Sequence, residues 1–399
     1  MKLLHTGDTH IGYAQYHESQ RKDDFINAFQ AVIDDAIAKD VDGVVHAGDL
    51  FHRSRPGIET LKETFSELRR LKQNDIPFYL IVGNHDGTRE TQWSELIEEL
   101  NIGHYLDYSG IKNGRVALYG QDHVPKTRHN ELTYEFTSRD AEMNVLVAHG
   151  LFTQFGFGEW DIEEIIEQSP VDFDIVLLGD DHEHQTEHVN SVPVTYCGST
   201  ERTAADQRGD RGYNIISIDG SAIDISHETI DSRPFTYIDF EVREDTRTRD
   251  VIDEIESTGV ENGDVVIVTL SGTMSDINIS SIERTVDRKG ALTVQVNDRR
   301  IEESDEGGGD VDLVDPNKVV EEKVSEKELG SYSTELELLV RDESVPKSNL
   351  KSETEDVVEE MLEESGVEER VSVDDEVEVP DDVVGSEQVS IEDIGGDGE

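Results

Sequence analysis

Six short apolar runs, each closed by a turn of glycine and polar residues, recur through the first 200 residues and narrow the folds open to this chain. They are KLLHTGDTH at 2–10, GVVHAGDLFH at 43–52, FYLIVGNHD at 78–86, NVLVAHG at 144–150, DIVLLGDDHEH at 174–184 and VTYCGS at 194–199. The runs are rich in β-branched residues and scarcely alternate with polar ones. That is the pattern of strands buried on both faces rather than of a sheet with one wet side. Amphipathic helical stretches lie between them. Phe25, Ala28, Phe29, Val32, Ile33, Ala36 and Ile37 repeat at three- and four-residue spacing, and 59–73 and 90–100 read the same way. Strands alternating with helices predict a layered α/β domain.

A second unit begins near Arg233-Pro234. PFTYIDFEV reads as strand, TRDVIDEIES as helix, VVIVTLSG as strand, INISSIERTV as helix and LTVQV as strand. The expected organisation is therefore a main domain over 1–230 and a small α/β domain over 231–300. The Gly- and Asp-rich 301–312 is a linker by composition. Weak helical patterns make 313–365 a helical segment, and 366–399, acidic and aromatic-free, reads as a disordered tail.

Charge decides what surrounds such a core. The chain has 91 acidic against 35 basic residues and a formal charge of −56. Residues 301–399 hold 35 acidic and 7 basic residues, so half the net charge sits in the last quarter. The folded part is nevertheless far too acidic for an ordinary domain, and only 13 of its bases and the tail's together are Lys. This is the composition of a protein working in multimolar salt, where the Debye length shrinks to about 3 Å and self-repulsion fades. The rival reading is a surface that merely avoids nucleic acid. Cys197 is the single cysteine, which excludes an internal disulfide and fits a reducing compartment. No apolar stretch reaches membrane-spanning length, and MKLLHTGDTH contains no apolar signal core. The expected location is the cytoplasm, with no membrane association.

The turns carry the chemistry. Ligands of open α/β sheets gather at the carboxyl ends of strands. There this chain places Asp8, His10, Asp49, Asn84, His85, His149, Asp180 and His182. Any one of these motifs alone is ordinary turn chemistry. All of them together form an oxygen- and imidazole-rich donor set without thiolates, suited to manganese, iron or zinc. The set is too large for one ion. It predicts two ions about 3.5–4 Å apart sharing one carboxylate, an arrangement that activates water for phosphoester hydrolysis.

GDTH, GDLF, GNHD and AHG, followed by a late Gly-x-x-His, resemble the calcineurin-like metallophosphoesterases over roughly residues 1–215. The resemblance implies a four-layer α-β-β-α sandwich. Longer matches are similar to one branch, the nuclease subunits of archaeal DNA double-strand-break repair complexes. These are GDTHIGY at 7–13, GDLFHRSRP at 48–56, YCGSTERT at 196–203, RGY at 211–213 and RPFTYIDFEV at 233–242. That branch implies a 3′–5′ exonuclease and endonuclease acting on DNA ends with two manganese ions per subunit. It further implies a homodimer joined to an SMC-like coiled-coil ATPase (Rad-fifty) in a heterotetramer. Residues 231–300 would then cap the site and present DNA, and 313–365 would dock on the ATPase or fold back on the body.

Carried over by motif, Asp8, His10 and His182 would hold the first ion, with Asp49 bridging. Asn84 and His149 would hold the second. His85 would act on the scissile phosphate or leaving oxygen, and His52 would orient DNA. The branch has His directly after the glycine at position 179, where this chain has Asp180. Either Asp180 ligates and pairs with His182, or the turn slips and His182 pairs with His184. Tyr13, Tyr16 and His17 either stack on a frayed DNA end or pack a surface loop. Arg53, Arg55, Arg202, Arg208 and Arg211 are candidate phosphate contacts or salt-bridge partners of the acidic surface. The same motifs leave open a nucleotide-directed metallophosphoesterase, or a non-catalytic subunit that bridges DNA ends.

Overall fold

The computed structural model describes residues 1–86, 93–156, 158, 160–301 and 354. In chain order it begins β1 (Lys2–Thr6), α1 (Ser19–Ala38), β2 (Gly43–His46), α2 (Ile58–Gln73), β3 (Phe78–Leu80), α3 (Trp93–Glu99) and β4 (His104–Tyr105). There follow β5 (Ile111–Asn113), β6 (Val116–Gln121), β7 (Met143–His149), α4 (Ile162–Gln168), β8 (Ile175–Gly179), β9 (Gln185–Val189) and β10 (Val192–Tyr196). The hairpin of β11 (Gly212–Asp219) and β12 (Ala222–Thr229) follows. The last part is β13 (Phe235–Val242), α5 (Thr248–Ser257), β14 (Val265–Gly272), α6 (Ile279–Arg288) and β15 (Thr293–Asp298).

Two six-stranded sheets form the main body, ordered β12-β11-β1-β2-β3-β4 and β5-β6-β7-β8-β10-β9. Their central strands run parallel, β1-β2-β3 in one and β6-β7-β8 in the other. Successive side chains on a strand point to opposite faces, and here each face meets a different core. Leu3, Val45, Tyr79, Leu118, Val145, Val147 and Leu177 fill the space between the sheets. Their neighbours Leu4, Val44 and Phe78 pack against α1 and α2, with Phe29, Val32 and Leu68. Leu146, Val176 and Leu178 pack outward with Ile162 and Ile165 of α4. The absence of polar alternation follows directly, because no strand face of the central parallel strands meets water. The result is the four-layer α-β-β-α sandwich that the resemblance implies, helix, sheet, sheet, helix.

β13, β14 and β15 form a separate parallel sheet covered by α5 and α6, with its own core of Ile238, Val251, Val266, Val268, Ile282 and Val286. Ion pairs and an aromatic contact join it to the main body. Arg233 grips both carboxylate oxygens of Asp24 at 2.6 and 2.7 Å. Arg208 spans both oxygens of Asp239 at 2.8 Å. Arg21, wholly buried, lies over the rings of Phe25 and Phe235. Residues 302–353 and 355–399 fall outside the described residues, and with them the linker, docking-segment and tail expectations. Among the described residues no helix is long and apolar enough to cross a membrane.

Two histidines lie in the sheet itself. His5 on β1 and His46 on β2 are fully buried, and burial pushes both imidazoles down to about 3 from the ordinary 6.5. The fold therefore keeps them neutral where the unfolded chain takes up protons. Their contribution is intact above pH 6.5 and is lost as pH falls from there toward 3. Each depresses stability by about 1.4 kcal/mol per pH unit in that window. The melting temperature in constant molar KCl is expected to fall between pH 7 and pH 5, and less steeply in His5→Gln. A flat wild-type profile would contradict this.

Candidate metal centre

The parallel strands of both sheets deliver their carboxyl ends to one edge. After β1 the chain hydrogen-bonds along the turn after β2, through Asp8 N–H to Gly48 O at 3.0 Å, His10 N–H to Asp49 O at 3.0 Å and Ile11 N–H to Leu50 O at 2.9 Å. Asp8, His10 and Asp49 take positive φ of 48°, 40° and 56°, and Asp180 takes 101°. Such conformations are sparsely populated by residues with a Cβ and persist where surrounding structure enforces them. Two turn glycines are required sterically. A Cβ on Gly83 would meet Asp49 Oδ1 at 2.1 Å, and one on Gly48 would meet His149 Nδ1 at 2.4 Å. Asp86 locks the two turns together, accepting from Leu50 N–H, Phe51 N–H and Gly83 N–H at 3.0–3.2 Å. The sequence reading gave Asp86 no role, although it closes the GNHD motif.

Around this scaffold the donor atoms fall into two groups. A ligand atom of each of Asp8, His10 and His182 lies within 4.8 Å of the others. His10 Nε2 and His182 Nε2 face each other at 3.2 Å. On the other side, His149 Nε2 lies 3.1 Å from Asn84 Oδ1 and 3.8 Å from Asp180 Oδ1. Asp49 stands between the groups. Its Oδ2 is 3.7 Å from His10 Nε2, and its Oδ1 is 3.8 Å from His149 Nε2. Asp8 ties the sheets together by accepting the Asp180 N–H at 3.0 and 3.1 Å.

Neighbouring carbonyls and side chains orient the imidazoles. His149 Nδ1 donates to Ala47 O at 2.7 Å, which turns the Nε2 lone pair toward Asn84, Asp49 and Asp180. His182 Nδ1 is held by Thr203 Oγ1 at 2.7 Å and Gln207 Nε2 at 2.8 Å. The Ala47 carbonyl, an acceptor, fixes the tautomer of His149, and the two neighbours of His182 Nδ1 fix the direction of its ring. His184 is directed elsewhere. Its Nδ1 reaches Tyr196 O at 3.0 Å, and its ring stacks on His227 with centroids 4.1 Å apart. Of the two pairings open in the sequence, the structure brings Asp180 and His182 to the cluster.

The electrostatics fit cations. Burial, and then the charges of Asp49 and Asp180, push the Asp8 carboxyl well above its ordinary range. Burial and then Asp86 do the same to Asp49. Burial pushes His10 and His149 well down and His182 to about 3. The neutral imidazoles are already in the ligating state, and a divalent ion among the carboxyls would reverse their shift and favour the ionised carboxylates. Two neutral imidazole nitrogens 3.2 Å apart beside a carboxylate form a donor set that one ion satisfies.

His85 and His52 line the open side. His85 Nδ1 donates to His52 O at 3.0 Å, so Nε2 points inward, 3.9 Å from Asp49 Oδ2. The His85 N–H donates to Asp49 Oδ1 at 2.9 Å. His52 stacks on Tyr13 at 3.7 Å and lies 5.3 Å from the His85 ring, so Tyr13 packs against the site's own histidine. Three of the candidate phosphate arginines are otherwise engaged. Arg211 is buried on His182 O and Glu183, Arg202 on the carbonyls of Gln207 and Gly209, and Arg208 pairs with Asp239. Loops that must be closed consume guanidinium groups, because Arg can satisfy several carbonyls at once. Arg53 and Arg55 stay exposed and line a cleft of about 400 Å³ with Tyr13, Tyr16, His17 and Lys22.

One imidazole at this edge was not singled out in the sequence. His123 follows β6, and its ring centroid is 6.0 Å from that of His149. The run VALYGQDH has the same grammar as the six runs above, an apolar strand closed by a glycine and polar residues, and that signal was there to be read.

Comparison with known proteins bears on the same residues. The family model for the calcineurin-like phosphoesterases matches residues 1–184. The DNA double-strand break repair protein Mre11 of Haloferax volcanii is 42% identical over 362 residues, covering 90% of this chain and 82% of that protein. The protein of the same name from Halobacterium salinarum is 40% identical over 349 residues, covering 86% of this chain and 90% of that protein.

Proposed function

Since this chain belongs to the Mre11 family of DNA double-strand break repair proteins, we propose that it is a manganese-dependent nuclease that processes DNA ends. It is a phosphodiester hydrolase. The observation that carries the reading is Asp49, whose two oxygens face two separate groups of buried donors. Asp8, His10 and His182 would hold a first manganese ion and Asn84, His149 and Asp180 a second, with Asp49 placed to serve both. Bound there, the ions supply a nucleophilic water at neutral pH and offset negative charge on the phosphate. The carboxylate of Asp180, a hard oxygen donor, favours manganese over zinc at the second position.

His85 supplies the proton. Its Nδ1–H is committed to the His52 carbonyl, and its Nε2 faces the centre from the open side. That places a titratable nitrogen where the 3′ oxygen leaves, the role of a general acid. His52, stacked against Tyr13, orients the strand beside it. The small domain over 231–300 presents duplex DNA to this edge. The chain acts in the cytoplasm as a homodimer, with an SMC-like ATPase docked on 313–365, a segment outside the described residues.

The acidic coat shapes the binding. The relatives above come from halophiles, and a charge of −56 supports work in molar salt, where counterion release contributes little to DNA affinity. Short contacts from Arg53 and Arg55 and metal–phosphate bonds then dominate. The test is cleavage of labelled duplex ends and hairpins in molar KCl with manganese, beside bis-p-nitrophenyl phosphate. Manganese-dependent DNA cutting abolished by chelation is expected. Cutting of the small diester with DNA left intact would point instead to a nucleotide-directed phosphoesterase. Cutting of neither would point to an end-bridging subunit.

A further inference from the structure

The second ion position is short of nitrogen donors. Asn84, Asp49 and Asp180 offer oxygens, and His149 alone offers an imidazole, which makes four ligands for an ion that takes about six. β6 brings a further imidazole to this place. The turn after β6 is tied to the turn after β3, in the other sheet, by His123 N–H donating to Val82 O at 2.9 Å. This bond fixes the His123 backbone against Val82, at the start of the turn that carries Asn84 and His85. The ring stands edge-on to His149 at 77°. A ring nitrogen of His123, one of His149 and a carboxylate oxygen of Asp180 all lie within 4.8 Å of one another. Two atoms bound to one ion at about 2.0–2.2 Å lie about 3–4.4 Å apart, so only small adjustments separate this trio from a coordination sphere.

We propose that His123 is a fifth ligand of the second ion, adding an imidazole beside that of His149 and the carboxylate of Asp180. This rests on the two-ion reading above. Chemically the addition is balanced. Asp180 and the shared Asp49 supply the anionic charge, and a neutral imidazole adds a donor without adding more. Five protein donors leave one position of an octahedron for water or a phosphate oxygen, the open position that a hydrolytic site needs. Two imidazoles also move the position from purely hard ions toward manganese, iron and cobalt and away from magnesium.

The test uses the full chain in molar KCl and reads metal rather than activity. Manganese titration followed by electron paramagnetic resonance is expected to give two ions in the wild type. In His123→Ala one of the two should be weakened at least about tenfold, beside a His149→Ala control that loses the same ion. His123→Cys, loaded with Co²⁺, is expected to show a thiolate-to-cobalt charge-transfer band absent from the wild type, where Cys197 is buried. The band appears only if the side chain at this position reaches the ion, so it decides the question even if His123→Ala fails to fold. Two ions at wild-type affinity in His123→Ala, with no band in His123→Cys, would overturn the proposal while His149→Ala left the two-ion reading standing. A wild type that binds no ion would remove both.

Discussion

Asp49→Ala is expected to abolish DNA cutting, with a loss of about 10³-fold or more, and to reduce bound manganese from two ions to at most one. The expectation follows from placement. The two oxygens of Asp49 are divided between the groups, Oδ2 facing His10 and Oδ1 facing His149. Its removal takes a donor from both positions and with it the charge that holds two cations close together. Loss of several kcal/mol of electrostatic stabilisation, at 1.36 kcal/mol per factor of ten, gives that scale. Asp49→Asn separates charge from shape. It keeps the acceptor for the His85 N–H and removes the anion. In the metal-free protein the same change acts in the opposite direction, because the Asp49 charge opposes ionisation of buried Asp8. Chelated Asp49→Asn is therefore expected to melt above chelated wild type at neutral pH. Full activity with two ions in either variant would refute the bridging role.

His85→Ala gives the second large effect, with a different signature. Removing a general acid costs about 10²–10⁴-fold in turnover. Both manganese ions should stay bound with little change in affinity, because the two donor groups on either side of Asp49 are complete without His85. There is a competing geometry to exclude. Nitrogens of His10, His52 and His85 also lie within 4.8 Å of one another, so the three could gather an ion of their own. Metal counting separates the roles. A variant that keeps two ions and loses turnover has lost a proton donor, and one that loses an ion has lost a ligand.

Much of the candidate centre was legible because its determinants are local. A parallel strand buried on both faces shows as an unbroken apolar run, so its end is visible in the sequence, and so is the ligand placed there. The placement of Asp8, His10, Asp49, Asn84, His149 and Asp180 at strand ends was legible this way, and the glycines beside Asp49 and His149 are demanded by close approach within and between turns. The three-stranded unit was read for the same reason, from β13 to β15. The β11–β12 hairpin was not, because its outer strand is only half buried and shows little of that pattern.

Local pattern could not say which strand ends meet across two sheets. Stacking of the sheets brings the Asp180 N–H onto Asp8, while strand pairing within one sheet directs His184 to Tyr196 instead of the centre and carries His123 beside His149. It also decided the arginines. Arg202 and Arg211 look like free cations in a sequence, but the closed loop turns them inward onto the carbonyls of Gln207, Gly209 and His182. The sequence by itself determined which side chains stand at strand ends and what ions their chemistry suits, since both depend on residue type and near neighbours. Which of those atoms come within reach of one another depended on the pairing and packing of segments up to 172 positions apart, and that is a property of the tertiary structure alone.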